Sequence, residues 1–198
     1  TLFRSYFKEK ITSKKSLVLL LTNLTTFSTT GYVATAVLFV GYIFFSNIKK
    51  SYKFILSVIL LVVVYYVGQL DFMTEKIAEQ SADDSTWSRF GAIAYHWNQI
   101  TQSPIIGFGP FLSNVFGDEL FSPNGLTDLM RYYGIPLSIV FYYLLYRGTK
   151  VYVGNSHKGA NVCVFVSLLL LCFSQTITYS PFFMILYFFA FNTYTYDK

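Results

Sequence analysis

Apolar residues fall in six runs along the chain, and one long polar stretch separates the first three runs from the last three. The runs cover residues 16–27, 31–48, 54–68, 130–146, 160–177 and 182–191, and none carries a charged side chain or His in its interior. Read as helices, they predict an all-α fold: a polytopic integral membrane helix bundle with one large extracytoplasmic loop that contains an amphipathic helix. Residues 1–70 then hold a basic N-terminal segment and three membrane segments, residues 71–130 the loop, and residues 131–198 three membrane helices. The first run falls short of the roughly 20 residues a full span needs, so it borrows residues from Ile11 onward or re-enters the membrane inside the bundle. Gly134 and Pro136, early in the fourth run, are expected to kink that helix or mark its entry. Pro181 breaks the chain between the last two runs.

Composition sharpens this picture. The chain is 54% hydrophobic and only 13% charged, with a mean hydropathy of +0.46, where a globular domain in water carries about a quarter charged residues. Aromatics at 20% suit a membrane–water interface. The net charge of +5 is unevenly spread. Of ten Asp and Glu, eight lie in the central stretch: Asp71, Glu75, Glu79, Asp83, Asp84, Asp118, Glu119 and Asp128. Of fifteen Lys and Arg, only Lys76, Arg89 and the rim residue Arg131, at the edge of the fourth run, are there. Basic clusters such as Lys14-Lys15 and Lys49-Lys50 flank the proposed cytoplasmic ends, as the positive-inside rule prefers. The basic excess therefore reads as a topology signal, with both chain ends cytoplasmic, and argues against nucleic acid as a partner. Charge-free spans weigh against ion-coupled transport, which needs ionisable groups near mid-membrane. Cys163 and Cys172 are nine positions apart, on opposite faces of one helix at ~100° per residue, too far to bridge.

The central stretch is where chemistry is expected. Residues 85–101 read as an amphipathic helix, with Asp83, Asp84 and Ser85 as capping oxygens rather than metal ligands. Trp87, Phe90, Ala94 and Trp97 recur at helical spacing and predict an apolar face packed on the membrane surface or the bundle. Arg89 and His96 share the opposite face, roughly 10 Å apart. The guanidinium of Arg89 suits bidentate binding of phosphate, with a surface ion pair as the alternative. His96 is either a hydrogen-bonded structural residue or an acid–base group near neutrality. The turn Ser103-Pro104-Ile105-Ile106-Gly107-Phe108-Gly109-Pro110 follows, and Gly107 and Gly109 would let backbone amides converge on an anion. Ser122-Pro123-Asn124-Gly125 then leads into the fourth run, which sets Asn124 and Asp128 at the mouth of the bundle.

In order, these pieces resemble the C-terminal half of the O-antigen polymerase and O-antigen ligase superfamily over about residues 16–150. The resemblance rests on the junction Thr25-Thr26-Phe27-Ser28-Thr29-Thr30-Gly31, on Arg89 with the Pro104–Gly109 turn, and on Pro123-Asn124-Gly125 through Gly134. It implies a metal-independent, cofactor-free glycosyltransferase with the all-helical GT-C-like architecture, at the outer face of a bacterial inner membrane. Its substrate would be oligosaccharide carried on undecaprenyl diphosphate, with membrane lipid and a chain-length regulator as further partners. The diphosphate maps onto Arg89, assisted by Arg131, Gly107 and Gly109. Asp128 is the first choice of general base and His96 the second. Two positions depart from the family pattern: Thr29 stands where Arg is common, and Asn124-Gly125 where ligases have His-Asn. The second departure favours a polymerase over a ligase that transfers glycan to lipid A–core. A transport or flippase component, whose loop is only a cap, is the reading from a different class, and a membrane anchor for other components is a third.

Overall fold

The computed structural model describes residues 28–45, 49–69, 89–109, 124–153 and 159–191, with residues 18, 21, 22, 71, 74, 75 and 78 as isolated positions. Six helices are seen among them and no strand: α1 Thr29–Phe45, α2 Lys50–Gly68, α3 Arg89–Gln102, α4 Gly125–Val153, α5 Ala160–Ser174 and α6 Pro181–Phe189. All but the first apolar run thus reappear as helices, and the amphipathic helix of the polar stretch is α3. The run at 16–27 lies almost wholly outside the described residues.

The expected polytopic membrane bundle is not supported. Among the described residues, no helix is long and apolar enough to cross a membrane. A hydrocarbon core about 30 Å thick needs some 20 apolar residues at ~1.5 Å each. The 17 residues of α1 and the 15 of α5 are too few, and α6 has only 9. In α2, Lys50 and Lys53 occupy the first turn and shorten the uncharged part. The 29 residues of α4 are divided by Gly134, whose φ of 76° and ψ of 169° lie outside helical space, and its second part carries Arg147 and Lys150. Two of the apolar runs, 160–177 and 182–191, extend past the helices they contain. With the spans goes the placement as a multi-pass inner-membrane protein, together with the membrane and transmembrane description.

The core is built mainly on α4, α5 and α6. Leu145 and Val153 of α4, Val164, Leu168 and Cys172 of α5, and Phe183, Leu186 and Tyr187 of α6 are buried together with Leu38 of α1. Helix α5 packs chiefly on α1 and α4; α6 packs on α4, α3 on the first part of α4, and α2 on α1. Ser167 ties α5 to α1, its hydroxyl lying 3.1 Å from the Ala34 carbonyl and 2.9 Å from that of Cys163. At Gly148 the α6 backbone comes so close that any Cβ would collide with the Leu186 carbonyl oxygen. Both cysteines are free thiols, and burial pushes Cys172 up to about 12.

The break at Gly134 organises the site. The turn after α3 lies directly against it, backbone to backbone: Ile135 N donates to Pro104 O at 2.8 Å and Phe108 N donates to Arg131 O at 2.9 Å. These bonds use donors and acceptors that the interrupted helix would otherwise leave bare. Side chains are excluded at both contact points. A Cβ on Gly107 (φ 72°) would sit 2.5 Å from Gly134 N, and one on Gly134 would strike the Ile105 carbonyl. Tyr142 spans the kink, its hydroxyl donating to Leu126 O at 2.7 Å. Tyr142→Phe deletes that bond alone and is expected to cost about 1 kcal/mol in urea melts.

Candidate functional site

Four buried polar side chains meet where α3 crosses the first two turns of α4: His96 and Gln99 from α3, Asp128 and Arg131 from α4. Helix α4 starts where it does because Asn124 caps it. Asn124 Oδ1 accepts from the amides of Leu126 at 3.1 Å and Thr127 at 3.3 Å, satisfying two of the first-turn donors. Asp128 then falls in the first turn, where the positive end of the helix favours a carboxylate.

Arg131 lies one turn on and is only 1% exposed. Its Nε donates to Asp128 Oδ1 at 2.9 Å, its Nη2 reaches the same oxygen at 2.7 Å, and its Nη1 donates to Gln99 Oε1 at 3.3 Å. The guanidinium also lies over the Tyr132 ring, 5.6 Å from its centroid. Expected from sequence to face a diphosphate, Arg131 instead has all three nitrogens directed at its own chain. Its place is beside Asp128. Both of its bonds to the carboxylate fall on Oδ1, so Oδ2 is the oxygen left open among the described residues. Burial raises the Asp128 pKa above the usual carboxylate value, and the Arg131 charge and hydrogen bond offset only part of that rise.

His96 is buried too, and its Nδ1 shares a 2.6 Å hydrogen bond with Thr127 Oγ1. Desolvation, and then the nearby Arg131 charge, bring its pKa down to about 3. At neutral pH the imidazole is therefore uncharged and weakly basic. That removes the near-neutral pKa which made it the second choice of base. Its contact with Thr127 gives it a positioning part instead, fixing α3 to the first turn of α4.

The inward face of α3 differs from the predicted one. Ala92, His96, Gln99 and Ile100 are buried, whereas Ala94 and Trp97 of the aromatic stripe are exposed, Trp97 at 57%. Polar groups go inward because Thr127 and Arg131 wait there with partners. Arg89 opens α3, but its side chain lies outside the described residues, as do Trp87, the Phe90 side chain and the capping residues Asp83, Asp84 and Ser85. The turn glycines have the expected positive φ, 72° at Gly107 and 54° at Gly109. The amide of Gly107 donates to Ser103 O and that of Phe108 to Arg131 O, so both are committed to the fold. A Cβ on Gly109 would meet nothing within 4 Å among the described residues.

Gln99 and Thr127 were not singled out from sequence. Gln99 sits three residues after His96 on the same helical face, and Thr127 immediately precedes Asp128. Those offsets were the signal available. No protein-family model matches this chain, and neither a characterised protein nor a solved structure resembles it closely enough to count as a match.

Proposed function

We propose that the protein transfers a glycosyl group from a lipid-diphosphate-linked oligosaccharide to a sugar hydroxyl, with Asp128 as general base. One observation carries the reading: Arg131 clamps Asp128 through Oδ1 only, in a buried setting that makes the carboxylate more basic and leaves Oδ2 for a proton. In this scheme the acceptor hydroxyl gives its proton to Oδ2 as its oxygen attacks the anomeric carbon. The bond from that carbon to the diphosphate breaks, and the electron pair leaves with the phosphate. Arg89, the first residue of α3, is the cation assigned to the departing charge. Asn124-Gly125, standing where ligases have His-Asn, supports repeat-unit polymerisation over ligation to lipid A–core.

The test is transfer between purified lipid-linked repeat units. Asp128→Asn preserves an oxygen for Arg131 while abolishing the base. It leaves the buried Arg131 charge uncompensated and lowers the melting temperature, and the turnover of the protein that remains folded is expected to fall by roughly 10²–10⁴-fold. Arg89→Ala is expected to abolish long-chain product while the protein still folds. Wild-type chain lengths from either variant would sink the reading. The burial of Asp128 at 3% and Arg131 at 1% favours a second one, in which the pair serves only to lock α3 on α4. Under it, Asp128→Asn retains full turnover.

A further inference from the structure

We infer that Gln99 is a ligand-binding residue, whose side-chain amide donates to a hydroxyl oxygen held beside Asp128. Gln99 is 2% exposed, and Nε2 is buried with no hydrogen-bond partner among the described residues. The usual escape, turning the amide over, is closed. Arg131 has only donors, so the atom facing Nη1 at 3.3 Å must be the oxygen of Gln99, and the NH₂ must point elsewhere. A buried donor left bare is costly, and interiors rarely tolerate one.

What such a donor accepts follows from its neighbours. The site already contains a carboxylate whose positive partner is bound, so a second anion finds no unspent charge on Arg131. A neutral oxygen that accepts from Nε2 and donates its own proton to Asp128 Oδ2 satisfies both open groups at once. A hydroxyl does this, as water in the resting protein or as the sugar hydroxyl that attacks. Arg131 holds both ends of the arrangement, Oδ1 of Asp128 and Oε1 of Gln99, so the open donor and the open acceptor are set by one guanidinium. This rests on the transfer reading above as far as the hydroxyl is called the nucleophile; the docking of a hydroxyl does not.

Two measurements decide it. In the first, the side-chain amide resonances of Gln99, assigned by their loss in Gln99→Met, are followed as lactose, maltose and N-acetylglucosamine are added in turn to wild-type protein. At least one sugar is expected to shift them at millimolar concentration. Resonances unmoved by all three leave water alone on Nε2 and overturn the inference, as does a structure in which Nε2 bonds a residue from 110–123. The second is transfer kinetics. Gln99→Glu keeps an oxygen for Arg131 and deletes the donor, and it is expected to raise the acceptor KM at least tenfold with the donor KM within twofold. Gln99→Met, folded by its melting curve, should do the same. An unchanged acceptor KM in both variants overturns the inference and leaves the proposed function standing. A protein that docks sugar but transfers nothing loses the function and retains the site.

Discussion

Replacing Arg131 with Met is expected to be the most damaging single change in the described fold, costing about 3–5 kcal/mol in urea unfolding. The reason is what remains behind. Asp128 would be a 3% exposed carboxylate that has lost both donors to Oδ1, and Gln99 Oε1 would lose its donor as well. The Coulombic gain of this buried pair repays only part of its desolvation cost, so the pair itself adds no net stability. Its rupture is another matter, because the uncompensated charge cannot return to water without opening the α3–α4 junction. Arg131→Lys should recover only part of the loss, since one ammonium cannot place two bonds on Oδ1 and a third on Gln99. The double variant Asp128→Asn, Arg131→Met removes both charges and should regain most of the stability. A double variant no better than Arg131→Met alone would show that shape, rather than charge, is what the junction requires.

The same junction marks where the sequence was legible and where it was not. Helix positions followed from apolar runs, because a buried helix and a run of Leu, Val and Phe are nearly the same statement. The kink was foreseen at Gly134 and Pro136, and it lies at Gly134. Membrane spanning was a different kind of inference. It depended on where each helix ends, and helix ends depend on caps, glycines and neighbours more than on hydropathy. The inward face of α3 was misjudged for a related reason. A Trp outranks a His in hydrophobicity, but burial of His96 and Gln99 is decided by partners 31 and 32 residues away. Nothing local announces such partners. The role of the Pro104–Gly109 turn was hidden in the same way: its glycines read as an anion cradle, whereas Gly107 also serves close backbone contact with Gly134.

Acid should weaken the protein through His96, and the sign follows from where the proton binds. In the unfolded chain the imidazole titrates near 6.5, whereas in the folded protein it stays uncharged down to about 3. Between those values the unfolded state binds the proton and the folded state does not. Stability is therefore intact above pH 6.5 and is lost progressively as pH falls toward 3. At ~1.4 kcal/mol per pKa unit the full loss is about 4–5 kcal/mol. Asp128 acts in the opposite sense. Its pKa is raised by folding, so as pH falls through that raised value the folded state takes up a proton first and is stabilised. The two groups share one cation, Arg131, which lowers both pKa values. His96→Gln separates them: it retains a hydrogen-bonding side chain against Thr127 and deletes the titration. Urea melts at pH 7, 5.5 and 4 should show wild type losing stability relative to His96→Gln by an amount that grows at each step. Parallel curves for the two proteins would mean that His96 reaches solvent and takes up its proton without disturbing the junction. In that case its near-neutral chemistry, and with it a place as the base, would be restored.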